Sequence, residues 1–334
     1  MVDSNACPHG PTRQPYRPGP RSGSNLVTML RSVILAAARS PRVERLVETA
    51  PISRDVVRRF VAGTGADDAL RATRELVDDG LGVSLDHLGE DTLTPEQAET
   101  TKDEYLHLLK ALSDAELTPA AEVSVKLSAL GQKLDEKLAY DHAHGICTAA
   151  TEAGTTVTID MEDHTTTDST LEILGRLRVD FPTTGAVLQA YLRRTEGDCR
   201  ELAGSGSRVR LCKGAYKEPE TVAYQSKLDV DKSYVRCLNI LMSGEGYPML
   251  ATHDPRLVAI GEDRTKWFDR SPDTFEFQML YGIRPDEQMR LADAGYTVRV
   301  YVPYGTEWYG YLMRRLAERP ANVAFFARAL RSRD

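Results

Sequence analysis

From about residue 25 onward, short apolar runs and amphipathic helical stretches alternate along the chain. Strand-like runs fall at 82–86, 122–128, 155–160, 186–191, 208–213, 249–253, 274–280 and 296–302. Helical spacing of apolar positions, i, i+3, i+4, i+7, predicts helices at 26–39, 66–79, 95–116, 135–153, 167–178, 194–203, 229–242, 255–262, 285–294 and 307–318. Local signals agree with these ends. Pro41 follows the first helix, Gly80 closes the second, and Thr94-Pro95 supplies a cap and a proline in the first turn of the third. Eight strands, each followed by a helix, require parallel pairing, and their number over roughly 240 residues predicts a closed (β/α)8 TIM barrel. An open doubly wound sheet is the competing α/β arrangement, but its dinucleotide fingerprint is missing. Gly63-Thr-Gly65 and Gly204-Ser-Gly206 lack a third glycine, and the second pair precedes a strand. Residues 1–25, with Pro8, Pro11, Pro15, Pro18 and Pro20 and no apolar period, read as a disordered tail. Residues 26–80 read as a helical segment packing on a barrel that occupies 81–334.

Composition narrows the functional classes. The 42 Lys and Arg against 49 Asp and Glu leave a net charge of −7, which argues against nucleic acid as the main partner. The 334 residues are 41% hydrophobic and 27% charged, as in a soluble globular protein. The run 33–38 is too short to cross a bilayer or form a signal core. Cys7, Cys147, Cys199, Cys212 and Cys237 are odd in number and never spaced CxxC. Neither a disulfide framework nor a thiolate zinc site is expected, and a cytoplasmic location is.

In a barrel the C-terminal strand ends carry the chemistry, while strand interiors are expected to be apolar. Here nearly every predicted strand ends in a group that is costly to bury alone: Asp86, Lys126, Asp160 with Glu162, Gln189 with Tyr191, Arg210 with Lys213, Thr252 with His253, Gln278, and Tyr301. One such residue is ordinarily a satisfied structural group. Eight strand ends in register mark a site without naming its chemistry. Lys126 and Asp160 occupy equivalent places on neighbouring strands, within reach of an ion pair. That pair either neutralises itself in the mouth or lines a substrate floor. Lys126 as a Schiff-base nucleophile is a third reading, opposed by any adjacent carboxylate because it favours the ammonium.

Arg210-Leu-Cys-Lys213-Gly-Ala-Tyr216 is either a surface basic turn or a guanidinium set to face a planar, electron-accepting ring. Near the C-terminus, Tyr311, Arg314, Arg315 and Glu318 share one helical face. Two adjacent arginines grip a small carboxylate from two directions, with Glu318 able to hold Arg314, unless the face is simply solvated. His142-Ala-His144 cannot present both rings to one metal from a helix.

Taken in order, Val125-Lys126-Leu-Ser-Ala, Gln189-Ala-Tyr191, the Arg210–Tyr216 run, Ala-Thr252-His253, Glu276-Phe-Gln278 and Tyr311-Leu-Met-Arg314-Arg315-x-x-Glu318 resemble the proline dehydrogenase family, in its monofunctional bacterial form. The resemblance implies a distorted barrel with FAD at its C-terminal mouth and the last helix lying over the flavin. It implies oxidation of L-proline to 1-pyrroline-5-carboxylate by hydride transfer to the flavin. It further implies electrons passed to a quinone with at most peripheral membrane contact, and a downstream pyrroline-5-carboxylate dehydrogenase. By the same resemblance Arg314 and Arg315 clamp the proline carboxylate, and Lys126, Asp160, Tyr301 and Tyr311 line the substrate pocket. Arg210 sits by the flavin, and Glu162, Gln189, Lys213, Thr252, His253 and Gln278 hold FAD. Leu88-Gly89-Glu90 resembles a gate segment, making Glu90–Arg314 a candidate gate. Cys212 stands where an aliphatic residue is expected and is small enough to leave function intact. The alternatives are a methylenetetrahydrofolate reductase-like FAD barrel, a Schiff-base barrel lyase using Lys126 or Lys213, and a non-catalytic carboxylate-binding barrel.

Overall fold

The computed structural model describes residues 57–89 and 92–318. The tail at 1–25, the helix at 26–39 and Glu90 lie outside the described residues. Helix α1 (Ala66–Asp78) leads into β1 (Gly82–His87), and seven further strands follow: β2 (Ala121–Val125), β3 (Val157–Ile159), β4 (Ala186–Gln189), β5 (Arg208–Cys212), β6 (Tyr247–Ala251), β7 (Glu276–Leu280) and β8 (Val298–Tyr304). Between them run α2 (Pro95–Asp114), α3 (Glu136–Glu152), α4 (Thr167–Asp180), α5 (Thr195–Leu202), α6 (Lys227–Ser243), α7 (Pro255–Trp267) and α8 (Pro285–Asp293), and α9 (Trp308–Glu318) follows β8. Each predicted strand and each predicted helix from 66 onward coincides with an observed one. The ends differ where the chain turns early, as after Val125, which enters a 3-10 turn at Ser128–Leu130.

All strand pairs are parallel, in the order β3-β2-β1-β8-β7-β6-β5-β4. The ring closes between β3 and β4 through a single bridge, Thr158 opposite Gly185. There Ile159 N donates to Gly185 O at 2.9 Å and Gly185 N to Val157 O at 2.8 Å. A Cβ on Gly185 would lie 2.6 Å from Thr158 Oγ1, so the seam closes only because the residue has no side chain.

Strand alternation divides the residues between two environments. Val83, Leu85, Val123, Val125, Val209, Leu211, Val300 and Val302 are essentially inaccessible and pack with Leu108, Leu109, Leu112, Ile146, Leu177 and Leu238 of the helices. This sheath between strands and helices is the hydrophobic core. Their neighbours Ser84, Glu122, Ser124, Thr158, Arg208, Arg210, Glu276, Gln278, Arg299 and Tyr301 bond to one another across the ring. The expected apolar strand interior is therefore corrected: the lumen is polar and charged. An apolar sheath already drives burial, so the lumen tolerates charges provided each has a partner.

Local chemistry sets the helices. Thr94 and Gln97 form a reciprocal capping box with Pro95 at the first helical position of α2. Arg270 donates to Leu241, Met242, Gly244 and Gly246 carbonyls at 2.9–3.1 Å, closing the C-terminus of α6.

The seam gives a test of closure. Gly185→Ala is expected to cost about 1–3 kcal/mol through overpacking against the β-branched Thr158. Gly145→Ala, inside α3 with open space around it, is expected to gain about 0.5–1 kcal/mol. Urea midpoints of the two variants moving in the same direction would contradict the seam as described.

Candidate active site

The lumen is layered. At its base Arg208 Nη2 donates to Glu122 Oε2 at 2.6 Å, and Arg299 Nε donates to both Glu276 oxygens at 2.9 and 3.1 Å. Burial alone would raise the Glu122 pKa, but Arg208, Arg299 and Arg210 together outweigh it and hold the carboxyl down at about 2. Burial opposes the charge of Arg299 as well, and Glu122 and Glu276 more than restore it, raising its pKa.

In the middle layer Arg210 is clamped from three sides. Its Nη1 donates to Asp160 Oδ1 at 2.7 Å and Ser124 Oγ at 2.8 Å, Nη2 to Ser84 Oγ at 3.1 Å, and Nε to Gln278 Oε1 at 2.5 Å. Its guanidinium carbon lies 5.1 Å from the Tyr301 ring centroid. Asp160 receives three donors, since Ser124 Oγ reaches Oδ1 at 3.0 Å and the Tyr301 hydroxyl reaches Oδ2 at 2.7 Å. Burial first, then the Asp160 charge, keeps the Tyr301 phenol protonated far beyond its ordinary range.

Lys126 corrects one expectation. Its ammonium pairs with Asp86 at 2.5 Å, while Asp160 is committed to Arg210 and Tyr301. The reason is position: Lys126 leaves β2 one residue beyond the strand, beside β1, whose penultimate residue is Asp86. Burial raises the Asp86 pKa most, Asp160 adds to it, and Lys126 works against both. An ammonium held on a carboxylate is a poor Schiff-base nucleophile.

The loops at the C-terminal strand ends place the remaining candidates. Glu162 accepts from Ser128 N at 3.1 Å and Ser128 Oγ at 2.6 Å, fixing the turn after β2. Gln189 Nε2 bonds to Met161 and Glu162 carbonyls, while its buried Oε1 finds no donor among the described residues. Gly214, at φ +107°, lies under the Tyr191 ring, which would sit 2.4 Å from an added Cβ. Lys213, Lys227 and Arg256 meet Asp231 and Asp254 where the N-termini of α6 and α7 converge. The Arg256 hydrogen bond is the main influence holding Asp254 well below the usual carboxylate range. His253 Nε2 accepts from Leu280 N at 2.8 Å, and Thr252 Oγ1 accepts from Asp254 N at 3.2 Å. Gln278 is not at the rim: its amide bonds inward, to Arg210 and to Glu276. His142 bonds to Leu130 O and pairs with Glu99, a satisfied structural histidine.

Beyond Gly305, at φ +127°, the chain turns into α9. Tyr309, Tyr311, Leu312 and Met313 pack with Leu88, which follows β1, with Ile283, which follows β7, and with Phe60 and Val61. The helix is thereby fastened to the C-terminal face of the barrel. Arg314 and Arg315 are both partly buried, and the Arg315 guanidinium carbon lies 5.2 Å from the Tyr311 ring centroid, as a shared helical face requires. The Glu90 half of the candidate gate and the Glu318 side chain lie outside the described residues.

Sequence reasoning assigned no role to Ser84, Glu122, Ser124, Arg208 or Arg299, counted Asp86 only among the strand-end set, and used Glu276 only as part of a motif. A signal was present: in six strands a polar residue stands two positions from another, as in Glu122-x-Ser124-x-Lys126, Arg208-x-Arg210 and Glu276-x-Gln278.

Comparison with known proteins adds an independent line. The family model described as Proline dehydrogenase matches residues 69–328. Proline dehydrogenase 1 of Bacillus subtilis (strain 168) is 37% identical over 302 residues, covering 90% of this chain and 99% of the relative. Proline dehydrogenase of Deinococcus radiodurans is 40% identical over 311 residues, covering 90% and 98%. Among solved structures, proline utilization A from Bdellovibrio bacteriovorus, inactivated by N-propargylglycine, superposes with a TM-score of 0.75 at 24% identity, over 88% of this chain and 37% of that one. That likeness bears on the fold.

The depressed Glu122 pKa has a consequence in acid. A carboxyl at about 2 in the folded chain, against an ordinary 4.5, contributes stability that is whole above 4.5 and is lost as pH falls toward 2. Glu122→Gln is expected to be less stable than the parent at neutral pH and to lose less of its remaining stability across that acid interval. Urea unfolding at several pH values measures this, and parallel curves for the two proteins would remove the assignment.

Proposed function

This chain belongs to the proline dehydrogenase family and catalyses the oxidation of proline in proline catabolism; from that premise we propose that its cofactor is FAD, bound with proline between the barrel mouth and α9. The division into a tail at 1–25, a helical segment at 26–80 and a catalytic barrel at 81–334 is part of the same reading.

The donors at the mouth suit a flavin. The buried acceptor Gln189 Oε1 matches the N–H edge of an isoalloxazine ring. Arg210, fixed and positive, favours a ring that gathers electron density. Lys213, Lys227 and Arg256 exceed Asp231 and Asp254 by one charge at two helix N-termini, a setting that favours a pyrophosphate. Thr252, His253 and Glu162 shape the rim around these groups.

FAD, when bound, supplies the hydride acceptor for converting proline to 1-pyrroline-5-carboxylate. The protein's part is orientation and charge. Arg314 and Arg315 hold the proline carboxylate, and Tyr311 braces Arg315 against its ring. Lys126, Asp160 and Tyr301 form the pocket wall below, each already locked by a partner, so substrate meets a preformed surface. Proline loses a hydride from the ring carbon beside nitrogen that does not bear the carboxylate, and a proton from nitrogen to water. In this reading Glu90 and Arg314 form a gate, a quinone receives the electrons at a peripheral membrane contact from a cytoplasmic enzyme, and a pyrroline-5-carboxylate dehydrogenase consumes the product. No helix among the described residues is long and apolar enough to cross a membrane. The observation that carries the proposal is the arginine pair on a helix anchored over a barrel mouth whose centre is the clamped Arg210.

The purified protein is expected to be yellow and to bleach when proline is added without oxygen; a colourless protein would end the FAD reading, and one that stays yellow would end the reading of proline as the electron donor to that flavin. Arg315→Met is expected to raise the KM for proline by about tenfold or more through loss of a charge-assisted bond, with the flavin spectrum unchanged. Carboxylate-bearing proline analogues are expected to compete and prolinamide is not; equal competition would contradict the clamp.

A further inference from the structure

Gln278 lies directly between two charges of opposite sign. Its Oε1 accepts from Arg210 Nε at 2.5 Å, and its Nε2 donates to Glu276 Oε1 at 2.5 Å. A glutamine amide has two orientations of nearly the same shape, and only its hydrogen-bond partners distinguish them. Here the partners leave one choice. A guanidinium only donates and a carboxylate only accepts, so the flipped amide would set N–H against N–H and oxygen against oxygen. At 3% exposure for Gln278, 4% for Arg210 and 0% for Glu276, no water relieves that mismatch.

Glu276 is itself immobile. Arg299 Nε donates to both of its oxygens, the Tyr247 hydroxyl donates to Oε2 at 3.2 Å, and Arg299 Nη1 is tied to the Val83 and Ala120 carbonyls at 3.0 and 2.9 Å. A chain of bonds therefore runs from backbone at the base of the barrel through Arg299, Glu276 and Gln278 to Arg210. Asp160, Ser124 and Ser84 hold the terminal guanidinium nitrogens, but among the described residues only Gln278 is bonded to Nε. The Nε contact sets the tilt of the guanidinium plane about the other bonds, because a planar fork held along one edge can still rotate about it.

We propose that Glu276 is a positioning residue for proline oxidation: by holding the Gln278 amide nitrogen it commits the amide oxygen to Arg210 Nε and fixes the angle at which Arg210 is presented to the reacting centre. The inference rests on the proposed placement of Arg210 at that centre. It also reassigns Gln278, from a contact of the cofactor to the connecting member of this relay.

The test uses the full-length flavin-loaded protein and three variants, Glu276→Gln, Gln278→Met and the double variant. Each single change is expected to lower kcat at least tenfold while the KM for proline stays within twofold, because the carboxylate clamp is on α9 and is untouched. The double variant is expected to be no slower than Gln278→Met, since removing Glu276 has nothing left to orient. Multiplicative losses in the double variant, or kcat at the parent level in folded single variants, would overturn the relay. Gln278→Met leaves every charge in place and decides the matter alone if Glu276→Gln does not fold. A crystal structure of the flavin-free Gln278→Met protein supplies a readout independent of turnover: the guanidinium plane of Arg210 is expected to be rotated from its parent orientation, and an unmoved guanidinium counts against the proposal. A parent protein that holds flavin but is not reduced by proline defeats the functional reading instead, and the structural comparison still judges the relay.

Discussion

Everything at the centre of this barrel depends on pairing charges that have been taken out of water. Arg208, Arg210, Arg299 and Lys126 stand against Asp86, Glu122, Asp160 and Glu276, four of each sign. Desolvating each ion costs several kcal/mol, and mutual attraction offsets this only when the geometry is good and the remaining hydrogen-bonding groups are satisfied. Removing one member strands its partner, an error that costs about 3–5 kcal/mol for buried pairs. The same strictness that makes the lumen intolerant makes it rigid. An arginine held by Asp160, Ser124, Ser84 and Gln278 has little freedom to reorganise, and a charge already in place when substrate arrives requires no reorganisation during the reaction.

The hydrophobic and the polar parts of the barrel therefore have separate duties. The sheath of Leu, Val and Ile between strands and helices supplies the burial that folds the chain. Alternation along each strand then delivers the opposite residue set to the axis, where its members pair with one another across the ring. The loops after β3, β4 and β5 extend this order outward. Glu218 accepts from His164 N at 3.0 Å and from the Tyr191 hydroxyl at 3.3 Å, joining the three loops around Gly214. Above them α9 adds the arginine pair from a different part of the chain, held by aromatic packing on Leu88 and Ile283. The site proposed above thus has a floor built from strands and a roof whose position depends on one helix.

The alternation of periods two and 3.6 was enough to count eight strands and to order the helices, because each element buries a face of its own and that need is written locally. The strand-end residues were equally legible, since Asp160, Arg210 and Tyr301 interrupt apolar runs. Their partners were less so. Glu122 and Glu276 sit at the starts of their strands, where a charged residue looks like an exposed edge. Lys126 was matched to Asp160 because the two strands are neighbours, but β1 adjoins β2 as well, and the shorter path leads to Asp86.

What the sequence determined by itself is the set of elements, their parallel order and the polar side chains that end the strands, all of which follow from interactions within one strand, one helix or one turn. What the tertiary structure alone decided is which charge meets which across the ring, and which way the Gln278 amide points. Those choices join residues as far apart as Ser84 and Arg210, and in a medium that screens little their energies depend on distances set only when β3 closes on β4.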